Sequence, residues 1–272
     1  MLPYSILKKN ILLLFLTFNN INFSYQQTFT GDATAFGGSN TGGACGFNSN
    51  SFNYNGNMEV AINAPQWINS LNCGRCVNIK YQNQNSITAI ITDKCPECKS
   101  GDLDMFTETY QAIIKSSPSR VPISWEFIDC PQPFVDGNIK LRINEINYYW
   151  LSINPNNFKC GIKNIEISFN NNWISMTRDD STMVGLYFNY NSLITPPFKF
   201  RLTSVYGEQI ISPSYSSIQN ELLINQQFQC NSNQNINNQN NQISITQASI
   251  PNQTPISIPN QTPRPHIRKN YC

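Results

Sequence analysis

Six of the nine cysteines fall between Cys45 and Cys130, and four of them form two Cys-x-x-Cys pairs, Cys73/Cys76 and Cys95/Cys98. That crowding constrains the fold more than any other feature, because thiols this close in sequence must either ligate a metal or cross-link the chain. The spacing of the two pairs fits a zinc ribbon, in which four thiolates close a tetrahedral site. Disulfides fit better. Cys45 and Cys130 bracket the four and a ribbon leaves both unexplained, while Asp93, Lys94 and Pro96 crowd the second pair with chemistry a structural zinc does not need. Six cysteines allow fifteen pairings, and spacing does not choose among them. Cys160 and Cys230 bracket the later part of the chain and make a natural pair, which leaves Cys272 over.

The N-terminus supports the oxidised reading. Lys8 and Lys9 precede an apolar run, Ile11 to Phe18, too short to span a bilayer, and small or polar residues follow near Ser24. Residues 1–24 read as a secretory signal, which places the mature chain outside the cell, where disulfides persist. No later stretch is apolar enough for a membrane helix, so no membrane partner is expected once the signal is removed. The formal net charge of +2 is carried by the two ends: Tyr25 to Val135 is net acidic and Asp136 to Cys230 neutral. Without a basic stripe, nucleic acid is excluded as a partner. The chain carries no cofactor signature, and no metal site is expected.

From Thr28 to about Cys130 short strand-like runs alternate with Gly, Asn and Pro; Cys76 to Tyr81, Ile87 to Thr92 and Pro122 to Ile128 are examples. One helical stretch, Phe106 to Lys115, has Phe106, Tyr110, Ile113 and Ile114 at helical spacing and stops before Pro118. A Pro- and Gly-punctuated linker covers Pro131 to Gly137. Beyond it Ile139/Leu141/Ile143, Ile165/Ile167/Phe169 and Phe198/Phe200/Leu202 alternate with other residues, and Asn170 to Asn172 make a turn, which predicts a small β-sandwich. After Cys230 the chain turns to Asn, Gln, Ser, Thr and Pro and repeats SIPNQTP at Ser249 and Ser257. Such a tail, residues 231–272, cannot bury enough apolar surface to order itself, and Asn252 and Asn260 in their Asn-Gln-Thr sequons are candidate glycosylation sites.

Read together, Gly31-Asp-Ala-Thr-Ala-Phe-Gly-Gly38, Gly42-Gly-Ala-Cys-Gly46, Thr92-Asp-Lys-Cys-Pro-Glu-Cys98, Gly101-Asp-Leu-Asp104 and Pro122 to Cys130 resemble the expansin family. The resemblance continues through Tyr149-Trp150 and Trp173-Ile-Ser-Met176. It implies a mainly β protein: a six-stranded double-psi β-barrel over residues 25–131, then an immunoglobulin-like, carbohydrate-binding β-sandwich over 132–230. It implies the bridges Cys45–Cys73, Cys76–Cys130 and Cys95–Cys98. It further implies a monomeric, secreted protein whose partner is a cell-wall or matrix polysaccharide, cellulose or a related glucan, loosened without hydrolysis.

Thr34, Asp93 and Asp104 match the family's polar groove positions. Asp93 follows an apolar strand, where a carboxylate can point into a cleft. Asp104 lies beside the helix start and has a second reading as its N-cap; the resemblance favours the groove. Inverting hydrolysis needs a second carboxylate as base. Asp32, on the same strand face as Thr34, is the candidate, and the family's usual residue there is not an acid. The alternatives are therefore a glycosidase or lytic transglycosylase with Asp104 as acid, and a structural matrix lectin. Sugar rings stack on flat aromatics, so Tyr149 and Trp150 are the candidate glycan platform, which requires a twist or bulge to bring them to one side. The family's third aromatic falls near Ser181, with Tyr187 or Tyr190 as substitutes, and Trp173 is expected in the core.

Overall fold

The computed structural model describes residues 27–37, 43–48, 51, 58–179 and 185–230. The signal segment, Ser181, Cys272 and the tail with Asn252 and Asn260 lie outside the described residues. The first six strands, β1 (Thr28–Phe36), β2 (Glu59–Asn63), β3 (Cys76–Lys80), β4 (Ile87–Cys95), β5 (Leu103–Phe106) and β6 (Val121–Ile128), close a barrel in the order β1-β5-β2-β4-β3-β6. The β1–β5 and β2–β4 pairs are parallel and the others antiparallel. Val60, Ile62, Ile79, Ala89, Ile91, Leu103, Met105 and Trp125 point inward and are sealed from solvent. Two short helices decorate the barrel, α1 (Ala64–Trp67) and α2 (Thr107–Ile114). α2 lays Tyr110, Ile113 and Ile114 onto the core and ends at Lys115 in a left-handed conformation.

The second part is two antiparallel sheets. One is four-stranded: β10 (Asn172–Ser175), β9 (Ile162–Phe169), β13 (Phe198–Ser204) and β14 (Gln209–Ile211). The other is five-stranded: β11 (Thr177–Arg178), β12 (Phe188–Tyr190), β8 (Trp150–Asn156), β7 (Lys140–Asn147) and β15 (Glu221–Leu223). The alternation in Phe198, Phe200 and Leu202 buries one face of β13, and Phe169 of β9 meets Tyr190 of β12 across the core at 5.6 Å between rings. Asn170 and Asn171 both take positive φ, the backbone twist that a two-residue hairpin demands.

Four disulfides join Cys45–Cys73, Cys76–Cys130, Cys95–Cys98 and Cys160–Cys230. The zinc-ribbon alternative fails here, because Cys73 and Cys76 are each bonded to a partner outside the four. Such bridges fit an oxidising compartment, and among the described residues no helix is long and apolar enough to cross a membrane.

Barrel and sandwich meet along a polar seam. Cys130 N–H donates to Lys159 O at 2.8 Å. Arg75 of the barrel is wedged with its guanidinium 3.7 Å from the Phe127 ring centre and donates to Asn72 and, at 3.4 Å, to Tyr206 of the sandwich. Burial lowers the Arg75 pKa, against the pull of Tyr206 and Asp129, and burial raises that of Asp129.

Candidate functional site

The barrel register builds a row of side chains across its outer face. Thr34 of β1 lies opposite Asp104 of β5, and Ala61 of β2 lies opposite both Asp104 and, on its other side, Asp93 of β4. The two aspartates are thus two strand spacings apart, about 9–10 Å between Cα atoms. Asp93 does not end its strand. β4 runs on to Cys95, and a register shift between Val60 and Ala61 of its partner aims Asp93 and Cys95 to the same side as Ala61. The Cys95–Cys98 disulfide packs there against Ala61 and Phe36, whose ring sits 4.6 Å from that of Phe106. An apolar wall therefore stands beside a polar row.

Asp104 is no helix cap. It belongs to β5, and the N-cap of α2 is Phe106, which makes no side-chain bond. The Thr34 hydroxyl donates to Asp104 at 2.5 Å. Burial pushes the Asp104 carboxyl above its usual range; the Thr34 bond opposes this, Glu97 adds to it, Arg120 opposes it and Asp93 adds to it. A carboxyl so placed can keep a proton to give to an acceptor oxygen. Asp93 directs one oxygen, Oδ1, at two backbone amides, Ala44 N at 2.6 Å and Lys94 N at 2.7 Å.

Asp32 is engaged elsewhere. Arg120 bridges its carboxylate at 3.2 Å and that of Asp102 at 3.3 Å, and Asp102 also accepts from the Asp32 amide. This cluster hangs on a close approach of two backbones. Gly101 has φ +91, and a Cβ there would sit 2.1 Å from Thr30 O, so only glycine fits. Trp125 secures the same loop by donating to Gly101 O at 2.7 Å. Glu97, Asp102 and Arg120 were not among the residues that sequence singled out. Glu97 had the clearer signal, lying between two cysteines that a disulfide closes into a turn.

The aromatic residues are arranged differently from expectation. Tyr148 and Tyr149 are neither on a strand nor at a bulge: they form the two-residue turn of the β7–β8 hairpin, since Asn147 pairs with Trp150, and the Asn147 side chain accepts from Tyr149 N–H. They are 81% and 67% exposed. Trp150 is half-buried, and its indole Nε1 is buried without a partner among the described residues. Leu151 and Ile153 point into the sandwich core, so Trp150, Ser152 and Asn154 share the opposite face. That face meets the barrel: Arg142 donates to Asn154 and to Gly46 O, and Asn154 donates to Leu186 O.

Tyr187 and Tyr190 are buried and cannot extend an exposed platform. Trp173 is not in the core. It lies opposite Ser168 on the outer face of the four-stranded sheet, with the Arg201 guanidinium 4.6 Å from its ring centre and Arg201 paired to Glu166 at 2.5 Å and 2.6 Å. On a strand its apolar sequence neighbours Ile174 and Phe169 face away from it.

No family model matches the chain. Expansin-YoaJ of Bacillus subtilis (strain 168) is 27% identical over 124 residues, which is 45% of this chain. The match spans half of that relative's length. Two crystal structures of the expansin of Clavibacter michiganensis share the fold. A mutant in complex with cellohexaose superposes with a TM-score of 0.61 at 18% identity, covering 74% of this chain and 98% of that one. The apo protein gives 0.60 at 19% identity, covering 74% and 96%. The chain therefore has the expansin fold and, over part of its length, is similar in sequence to an expansin.

Proposed function

We propose that the chain grips a cell-wall or matrix polysaccharide, cellulose or a related glucan, and loosens it without hydrolysis. The observation that carries this reading is the state of the carboxylates around the groove. Asp104 is half-buried and its pKa is raised by that burial against the opposing Thr34 bond, which suits it to donate to a glycan oxygen. The one candidate for the base that cleavage would require, Asp32, is engaged. Asp32 is bridged by Arg120, and Asp93 is aimed at backbone amides. The exposed rings of Tyr148 and Tyr149, with Trp150 behind them, offer the apolar faces on which sugar rings stack. The Clavibacter michiganensis expansin crystallised with cellohexaose supports a β-glucan as the partner. In this reading the protein is a secreted monomer, residues 25–131 and 132–230 are its two domains, and the tail carries glycans at Asn252 and Asn260.

A second reading, glycan cleavage with Asp104 as acid, draws on one observation: Glu97, exposed on the disulfide-closed turn, acts electrostatically on Asp104. A pull-down on cellulose, chitin and xylan separates binding from its absence, using wild type and the Tyr149→Ala and Trp150→Ala variants. Glucan retention that falls with either substitution is expected; equal retention of all three proteins removes the platform.

A further inference from the structure

The Gly43–Gly46 turn of the barrel faces two ways. Its amides turn toward the groove: Ala44 N–H donates to Asp93 Oδ1 at 2.6 Å, and Cys45 N–H to Thr92 O at 3.0 Å. Its carbonyls turn toward the sandwich. Ala44 O accepts from Gly185 N–H at 2.7 Å, Cys45 O from Leu186 N–H at 3.0 Å, and Gly46 O from Arg142 Nη2 at 2.6 Å. The turn, closed by Gly46 N–H donating to Gly43 O at 3.0 Å, thus has the groove on one side and the sandwich on the other. The Cys45–Cys73 disulfide pins its middle. Gly46, at φ +70, lets the Tyr187 ring sit directly on the turn, since a Cβ there would lie 2.7 Å from the tyrosine hydroxyl.

We infer that Asp93 is a positioning residue. Its carboxylate fixes the turn on which the sandwich is seated, and so keeps the face carrying Trp150 in a set relation to Asp104, rather than contacting the polysaccharide itself. Three facts carry this. The Oδ1 atom takes amides from both sides of the link, Ala44 of the turn and Lys94 of β4. The carbonyl of Ala44, the residue whose amide Asp93 holds, accepts from Gly185 of the sandwich. Gly185 and Leu186 are buried, so their amides have no water to fall back on if the turn moves. The consequence for binding rests on the proposed glucan function; the linkage itself does not.

Hydrogen–deuterium exchange on the intact, disulfide-bonded protein tests it, with Asp93→Ala, Asp93→Asn and Asp104→Asn beside wild type and retention on amorphous cellulose measured in parallel. Asparagine keeps a carbonyl oxygen that can accept both amides. We expect Asp93→Ala to speed exchange at Ala44, Gly185 and Leu186 by about tenfold or more. Asp93→Asn should stay near wild type in exchange, and Asp104→Asn should leave the exchange of these amides unchanged. Unchanged exchange in Asp93→Ala overturns the inference. So does an Asp93→Asn variant that exchanges like wild type yet loses retention as fully as Asp93→Ala, because that pattern assigns the carboxylate to the glycan. If exchange follows the expected pattern while wild type is not retained on any polysaccharide, the linkage stands and the glucan reading falls.

Discussion

The four disulfides close loops of very different length, so removing them should separate stability from groove function. Cys76–Cys130 spans 54 residues and ties β3 to the end of β6, whereas Cys95–Cys98 spans 3 and packs on Ala61 and Phe36 at the groove. Chain entropy alone puts the cost of opening the first at about 4.2 kcal/mol at 25 °C and that of the second at about 1.6 kcal/mol. Paired substitutions, Cys76→Ala with Cys130→Ala and Cys95→Ala with Cys98→Ala, can be compared with wild type by urea unfolding, where the midpoint shift times the slope returns the loss. The cysteines of both bridges are buried, so cavity terms add to both losses. The short bridge should instead show its effect in retention on glucan, because the turn holding Glu97 and the wall beside Asp104 loses its closure. Equal losses from the two double variants would refute the loop-length reasoning. A short-bridge variant with unaltered retention would refute its assignment to the groove.

Asp104→Asn removes a carboxylate whose folded pKa is raised, mainly by burial. The folded state of wild type then holds the proton more tightly than the unfolded chain, so its stability is fullest below the unfolded value of about 3.9 and is lost as pH rises through the folded one. The variant should melt higher than wild type at pH 7, with the gain vanishing at pH 3 in a thermal scan. Trp125→Phe deletes the 2.7 Å bond to Gly101 O inside the barrel and should cost about 1–3 kcal/mol by urea denaturation. Arg120→Gln breaks the bridge to Asp32 together with that to Asp102. If freeing Asp32 in this variant produces reducing ends from glucan that wild type does not release, the ion pair is what withholds the base.

Much of the architecture was legible because strands with one buried face write their period into the sequence. Ile165/Ile167/Phe169 and Phe198/Phe200/Leu202 pair with each other in the four-stranded sheet, and the Asn170-Asn171 turn beside them has the positive φ values its composition suggests. Thr34 and Asp104 proved to be hydrogen-bonded neighbours, a relation that depends on parallel pairing between segments 70 residues apart and so lies outside any local pattern. The hairpin tip escaped local reading because Tyr148-Tyr149 carries no turn chemistry of its own; the Asn147 side chain supplies it. Trp173 was misplaced because apolar neighbours in sequence lie on the opposite face of a strand. The Arg120 bridge that ties up Asp32 joins β1 to the residue before β6, and no spacing rule reports such a meeting.

The central claim, that the groove holds and loosens a glucan without cutting it, is tested most directly by recording creep of a loaded cellulosic wall strip while assaying the bathing solution for reducing ends. Wild type should extend the strip with no release of reducing ends, and Asp104→Asn should abolish the extension. Reducing ends that accumulate with wild type and disappear with Asp104→Asn would contradict the account and establish a glycan-cleaving enzyme.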